Sequence, residues 1–350
     1  MTRRFIAIFA LCVLVTFIAI GFYRIHFSGQ PSRVENSLGA QQSYWEKEIA
    51  RVGGVAAYRE YASSVASSSP EVQHTGAHVF GAALYRSEGI AGLSVCDNRF
   101  SYGCFHEFLG RAIADRGLSS IPKLNEVCTK ALSTSPLSCE HGIGHGVLAS
   151  LGYNESDLNR ALGICHTLPY NDPIGGCYGG VFMEYNMQLM LGTQAQLRPA
   201  TSDLHAPCDR VAPEFQGSCY FAQSQWVSAL LLGQHASPQE ATLKAGKLCD
   251  GLVDQEFARD CFEGLGTNVP ASVMYDVAQT IQLCNASTQN PLHQLFCRSY
   301  AANSFFGADM NSTRSLLLCA GLKNAAYSYC AAYARNDANL ALPAAVPPEM

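Results

Sequence analysis

Two pairs of histidines are the residues best placed to do chemistry. "VQHTGAHVF" sets His74 and His78 four apart, and "CEHGIGHGV" does the same with His141 and His145. Residues four apart on a helix share one face, so each pair offers two imidazoles to a common point. His106 follows Cys104 by two residues in "CFHEFLG", as His141 follows Cys139, and His74 aligns with both. Imidazole suits zinc, iron, copper or manganese and does not by itself choose among these divalent transition metals. A bound metal can lower the pKa of coordinated water and so make a hydrolytic nucleophile. Glu184, in "CYGGVFMEYN", falls one residue past the place equivalent to His145, about 100° around an ideal helix. The expected metal ligands are therefore His74, His78, His106, His141, His145 and Glu184, with Glu107 and Glu140 beside them in sequence. Glu263, in "CFEGLG", takes the first-histidine place in a later segment. No catalytic side chain is assigned beyond these ligands.

Gly142, Gly144 and Gly146 surround the second pair, although glycine in a helix interior costs about 1 kcal/mol relative to alanine. One explanation is that they clear side chains from around His141 and His145 and leave room for a ligand, and this is the expectation carried forward. The alternative is that they let helices approach closely. Other motifs fail on inspection. "HEFLG" starts like a zinc-protease helix, but Gly110 stands where the second histidine is needed. The Cys-x-x-Cys-His of a c-type haem is absent, as are a Gly-x-Ser-x-Gly elbow and a phosphate loop. His166, His205, His235 and His293 lie off the aligned places and are read as surface or core residues.

The cysteines define what must position the histidines. Of 15 cysteines, 14 fall into neighbouring pairs: Cys96 with Cys104, Cys128 with Cys139, Cys165 with Cys177, Cys208 with Cys219, Cys249 with Cys261, Cys284 with Cys297 and Cys319 with Cys330. Each pair is expected to form a disulfide. Within a pair 7 to 12 residues intervene, and 21 to 30 separate one pair from the next. The longer gap suits two short helices and a tight turn. "FHEFLGRAIADRG" has helical spacing and stops at Gly117; "IPKLNEVCTKAL" restarts with Pro122 in a first turn. The chain is expected to break at "TNVP", run helically through "ASVMYDVAQTIQLC", and restart with Asn290 as cap.

This Cys–helix–turn–helix–Cys unit recurs every 33 to 42 residues, counted between second cysteines. That period indicates stacked helical hairpins. The fold class is all-α: disulfide-stapled helical-hairpin repeats, forming an α-solenoid or an α/α toroid-like ring, behind an N-terminal transmembrane anchor. Stacking sets equivalent faces side by side, which would bring all five imidazoles onto one patch.

The N-terminus sets the compartment. Arg3 and Arg4 precede an apolar run from Phe5 to Tyr23, long enough for a membrane helix and lacking a small-x-small cleavage site. Residues 1–27 are therefore read as a signal anchor, with the N-terminus cytoplasmic and the rest periplasmic or extracellular/lumenal. An even set of cysteines beyond the anchor agrees, since disulfides need an oxidising space. Residues 28–43 read as a flexible stalk, 44–336 as the extracytoplasmic helical-repeat domain, and 337–350 as a disordered tail.

A net charge of −5 without a basic stripe excludes a nucleic-acid partner. Two functions remain: a membrane-tethered metal-dependent hydrolase or oxidoreductase, or a non-catalytic scaffold binding a protein, peptide or glycan. Whether the protein is an enzyme is left open at this stage.

Overall fold

The structure, a computed structural model, describes residues 37–131, 136–169, 174–188, 190 and 196–336. The chain divides into units 1–41 and 42–350, and the site below belongs to the second. The anchor expected over 1–27 and the tail over 337–350 lie outside the described residues. Among those that are described, no helix is long and apolar enough to cross a membrane.

The protein is all-helical. Its elements are α1 (Leu38–Val52), α2 (Gly54–Ser64), α3 (Pro70–Glu88), α4 (Gly103–Arg116), α5 (Ile121–Ala131), α6 (Pro136–Leu151), α7 (Glu155–Cys165), α8 (Cys177–Asn186), α9 (Pro213–Gly233), α10 (Pro238–Asp250), α11 (Gln255–Ser272), α12 (Val277–Ala286), α13 (Pro291–Asp309) and α14 (Asn324–Arg335). One short antiparallel pair, β1 (Met187–Gln188) with β2 (Gln196–Leu197), interrupts the helices.

Local chemistry starts and stops these helices. Ser69, Asn154, Ser237, Asp254, Asp276 and Asn290 each accept a hydrogen bond from a backbone N–H in the first turn that follows, satisfying a donor with no intrahelical partner. Gly117 ends α4 at φ +76° and Gly53 separates α1 from α2 at φ +82°, values that side chains with a Cβ rarely adopt.

Two boundaries differ from expectation. Residues 38–43 are not stalk but the start of α1, because Ser37 caps the Ala40 N–H and Trp45 and Ile49, one turn apart, bury the helix face. α11 does not break at "TNVP" but continues through Pro270 to Ser272. The proline lies in the last turn, so few residues beyond it need the helical ladder. The break comes at Met274 and Tyr275, both with positive φ, and α12 then starts from its Asp276 cap.

Seven disulfides join the expected sequence neighbours. Cys96 bonds to Cys104, Cys128 to Cys139, Cys165 to Cys177 and Cys208 to Cys219. Cys249 bonds to Cys261, Cys284 to Cys297 and Cys319 to Cys330. Their Cα–Cα distances run from 5.3 to 5.7 Å. The second cysteine of each pair, from Cys104 on α4 to Cys330 on α14, lies in the first two turns of α4, α6, α8, α9, α11, α13 or α14. Seven such bonds need an oxidising, extracytoplasmic compartment to form and persist.

Helices α3, α4, α6, α8, α9, α11, α13 and α14 pack on one another in that order, while α5, α7, α10 and α12 flank them. The two-helix unit is complete after Cys104, Cys139, Cys219 and Cys261. After Cys177 the second helix gives way to the short strand pair and a turn, and after Cys297 to a 3₁₀ turn over Ser315–Cys319.

Glycines set the helix spacing. A Cβ on Gly144 would run into the Cys177 carbonyl oxygen and come within 2.9 Å of the Val181 nitrogen. One on Gly146 would lie 2.9 Å from the Gly110 Cα, and one on Gly142 2.9 Å from Leu109 Cδ1. Gly81 meets the Cys104 carbonyl and Gly266 the Cys297 carbonyl in the same way. These contacts overturn the ligand-space explanation for Gly142, Gly144 and Gly146. The space they leave is filled by neighbouring helices, and α6 reaches α4 and α8 only because Cβ atoms are missing there.

Candidate metal centre

Because α3, α4 and α6 are consecutive neighbours, the aligned histidines meet. Ring centroids are 4.6 Å apart for His74–His78, 5.2 Å for His78–His106, 4.7 Å for His106–His145 and 5.0 Å for His141–His145. Among the described residues, two sets of nitrogens lie close enough to share an ion: His74, His78 and His106, and His106, His141 and His145. His106 and His145 are buried, with relative exposures of 2% and 0%. His78 is also buried, whereas His74 and His141 are half-buried.

The outward nitrogens face acceptors. His74 Nδ1 lies 2.7 Å from the Phe100 carbonyl oxygen, and His145 Nδ1 lies 3.0 Å from Glu184 Oε2. The Gly176 backbone beside the His141 ring favours a proton on it. His78 Nδ1 faces Glu107 Oε2 at 3.7 Å, and Arg111 pins the other oxygen of that carboxylate at 2.7 Å. Acceptors on the outside assign the ring protons to the outside. The inward Nε2 atoms of His74 and His145 are then lone pairs, and they lie 3.1 Å from His78 Nε2 and 3.3 Å from His141 Nε2.

Burial favours the uncharged rings. It holds His74, His141 and His145 down at about 3, and, with the neighbouring imidazoles, pushes His106 well below the ordinary histidine range. At neutral pH His74, His141 and His145 are therefore uncharged, each with one N–H and one lone pair. Neutral imidazole with its other nitrogen hydrogen-bonded to a carbonyl or carboxylate is the form in which histidine binds metals.

All five expected histidines come together, and Glu184 sits beside them in a different place. Its carboxylate contacts the outward nitrogen of His145, accepts from Tyr153 Oη at 2.7 Å and from the Met190 N–H at 3.2 Å, and belongs to neither nitrogen set. The roughly 100° offset seen in the sequence has this consequence: Glu184 reaches behind the His145 ring rather than in front of it. On α4 the place one turn past His106 is Gly110, and there the Met190 sulfur lies 2.5 Å from where a Cβ would be.

Sequence reasoning missed Tyr153, the Phe100 carbonyl and the Gly176 backbone. The backbone groups carry no side-chain signal, and Tyr153 lies in a turn outside the repeat register. Glu107 was noticed only as a neighbour of His106, whereas its partner is His78. Of the remaining histidines, His293 pairs with Asp250 at 2.9 Å and stacks on Phe262, and His166 contacts Tyr178 Oη at 3.0 Å.

His141 also borders a small cavity of about 20 Å³, room for about one water, whose wall includes Met183, Asn186, Met187, Phe221 and Gln225. Asn186 is buried and its Oδ1 has no hydrogen-bond partner among the described residues. Comparison with protein-family models, curated proteins and solved structures found no match, so the function is read from this geometry alone.

Proposed function

We propose that this is a membrane-tethered extracytoplasmic metalloprotein whose five histidines bind a first-row divalent transition metal. The observation that carries the reading is the spacing of the inward nitrogens. Three nitrogens bound tetrahedrally at about 2.0–2.1 Å from one ion lie about 3.3–3.4 Å apart. Here the His74–His78, His78–His106 and His141–His145 distances are 3.1, 3.4 and 3.3 Å. A cation held there takes the place of any N–H···N contact between the rings.

The small cavity beside His141 supports a catalytic use in which a water reaches the metal from that side, as metal-dependent hydrolysis needs. Asn186 Oδ1, unpaired among the described residues, would accept a hydrogen bond from a water there. The second reading is a non-catalytic scaffold for a protein, peptide or glycan, and the glycine contacts favour it because they remove one argument for ligand space. The ordered packing from α3 to α14 supports stapled helical-hairpin repeats. A contact between α13 and the 3₁₀ turn Phe100–Tyr102 just ahead of α4 supports a closed, toroid-like course over an open solenoid. The tether rests on the apolar run between Phe5 and Tyr23.

The test is elemental analysis of the purified full-length protein and of its His141→Ala/His145→Ala variant. The proposal requires stoichiometric metal in the first and a loss in the second. A metal-free protein that also fails to take up zinc, copper, iron or manganese contradicts it.

A further inference from the structure

Among the five histidines, His106 differs from the rest. His74 and His145 each hydrogen-bond outward to a carbonyl or carboxylate, His141 has the Gly176 backbone beside it, and His78 has Glu107 behind it. His106 has no such partner. Its Nδ1 faces His78 Nε2 at 3.4 Å, and its Nε2 is buried without any hydrogen-bond partner among the described residues. Among those residues it is also the one common to both nitrogen sets. Its ring lies 5.2 Å from His78 on one side and 4.7 Å from His145 on the other, centroid to centroid.

From this we infer that His106 is a bridging ligand between two metal ions, one held with His74 and His78 and the other with His141 and His145. The inference rests on the metal reading above and adds a second ion and a shared ligand. A buried imidazole nitrogen with no partner is costly unless something occupies it. The terminal histidines need an outward acceptor to fix the ring and its tautomer. A bridging ring needs none, because a metal fixes each nitrogen. To bind through both nitrogens the neutral ring gives up its remaining N–H proton to solvent and becomes imidazolate. Two ions joined through one imidazolate are electronically coupled.

The test uses Cu(II) as the probe on the full-length protein, with bound copper counted by elemental analysis and unpaired spins by electron paramagnetic resonance. Two coppers per chain are expected, with a low-temperature spin count well below two because the pair couples antiferromagnetically. His106→Ala should restore uncoupled spins. His74→Ala/His78→Ala should leave one copper with a full single spin, and this variant decides the matter if His106→Ala does not fold. One copper per wild-type chain overturns the bridge and leaves the metal reading intact. Two coppers with two uncoupled spins do the same. No copper at all, with no other metal taken up, overturns both.

Discussion

Glu184 Oε2 lies 3.0 Å from His145 Nδ1, on the nitrogen opposite the one that faces His141. The carboxylate therefore orients the ring and raises the basicity of Nε2 without itself belonging to the nitrogen set. Losing such a partner typically weakens metal binding about 10- to 100-fold. Glu184→Gln should show a loss of that order in competition titrations against a chelator, with helicity unchanged. An unchanged affinity would remove Glu184 from the site.

Gly144 is a packing glycine. Gly144→Ala should lower the thermal midpoint, as overpacking of about 1–3 kcal/mol outweighs the better helix propensity of alanine. Gly163 on α7 is the control, since nothing lies within 4 Å of a Cβ there. Gly163→Ala should raise the midpoint. If Gly144→Ala instead kept its midpoint and lost metal, the ligand-space explanation would return.

Glu263 predicts a pH dependence separate from that of the five clustered histidines. Burial, reinforced by Asp260, pushes its carboxyl up to about 8, against the opposing influence of Arg259, Tyr329 and Tyr300. The ordinary value is 4.5. Between those two values the folded protein holds a proton that the unfolded chain has lost. Stability is therefore fully present below 4.5 and falls as pH rises to about 8, by at most about 1.4 kcal/mol per pH unit. Glu263→Gln should flatten this trend in thermal midpoints measured across the window. His74, His106, His141 and His145, whose values burial lowers, act in the opposite sense at acidic pH. The difference between wild type and variant isolates Glu263, and identical profiles would refute the assignment.

The disulfides predict a local stability loss. Each closes a loop of about a dozen residues, for which the chain-entropy model gives about 3 kcal/mol. Cys249→Ala/Cys261→Ala should lower stability by about that amount. Peptide mapping without reduction should recover bonds only between sequence neighbours, from Cys96 with Cys104 through to Cys319 with Cys330.

The fold was legible where side-chain identity repeats in register. Cysteine spacing alone gave the pairing and the order of the helices that carry the second cysteines, and the five histidines converge because they follow that register. The role of the glycines was not legible, since Gly142, Gly144 and Gly146 have the same spacing whether they face a ligand or a neighbouring backbone. Only the position of the Cys177 carbonyl decides between them. Pro270 misled for a related reason: a proline in a last helical turn and a proline at a break read alike in sequence. His106 could be aligned with His141, but its lack of an outward partner is a property of the assembled helices.

The central claim is that the facing histidine nitrogens hold metal. X-ray absorption at the metal edge of the full-length, metal-loaded protein tests it directly. The account predicts three to four nitrogen or oxygen scatterers at about 2.0–2.1 Å, with the outer-shell pattern of imidazole, reduced in His141→Ala/His145→Ala. A spectrum without imidazole scattering, or one unchanged by that substitution, would contradict it.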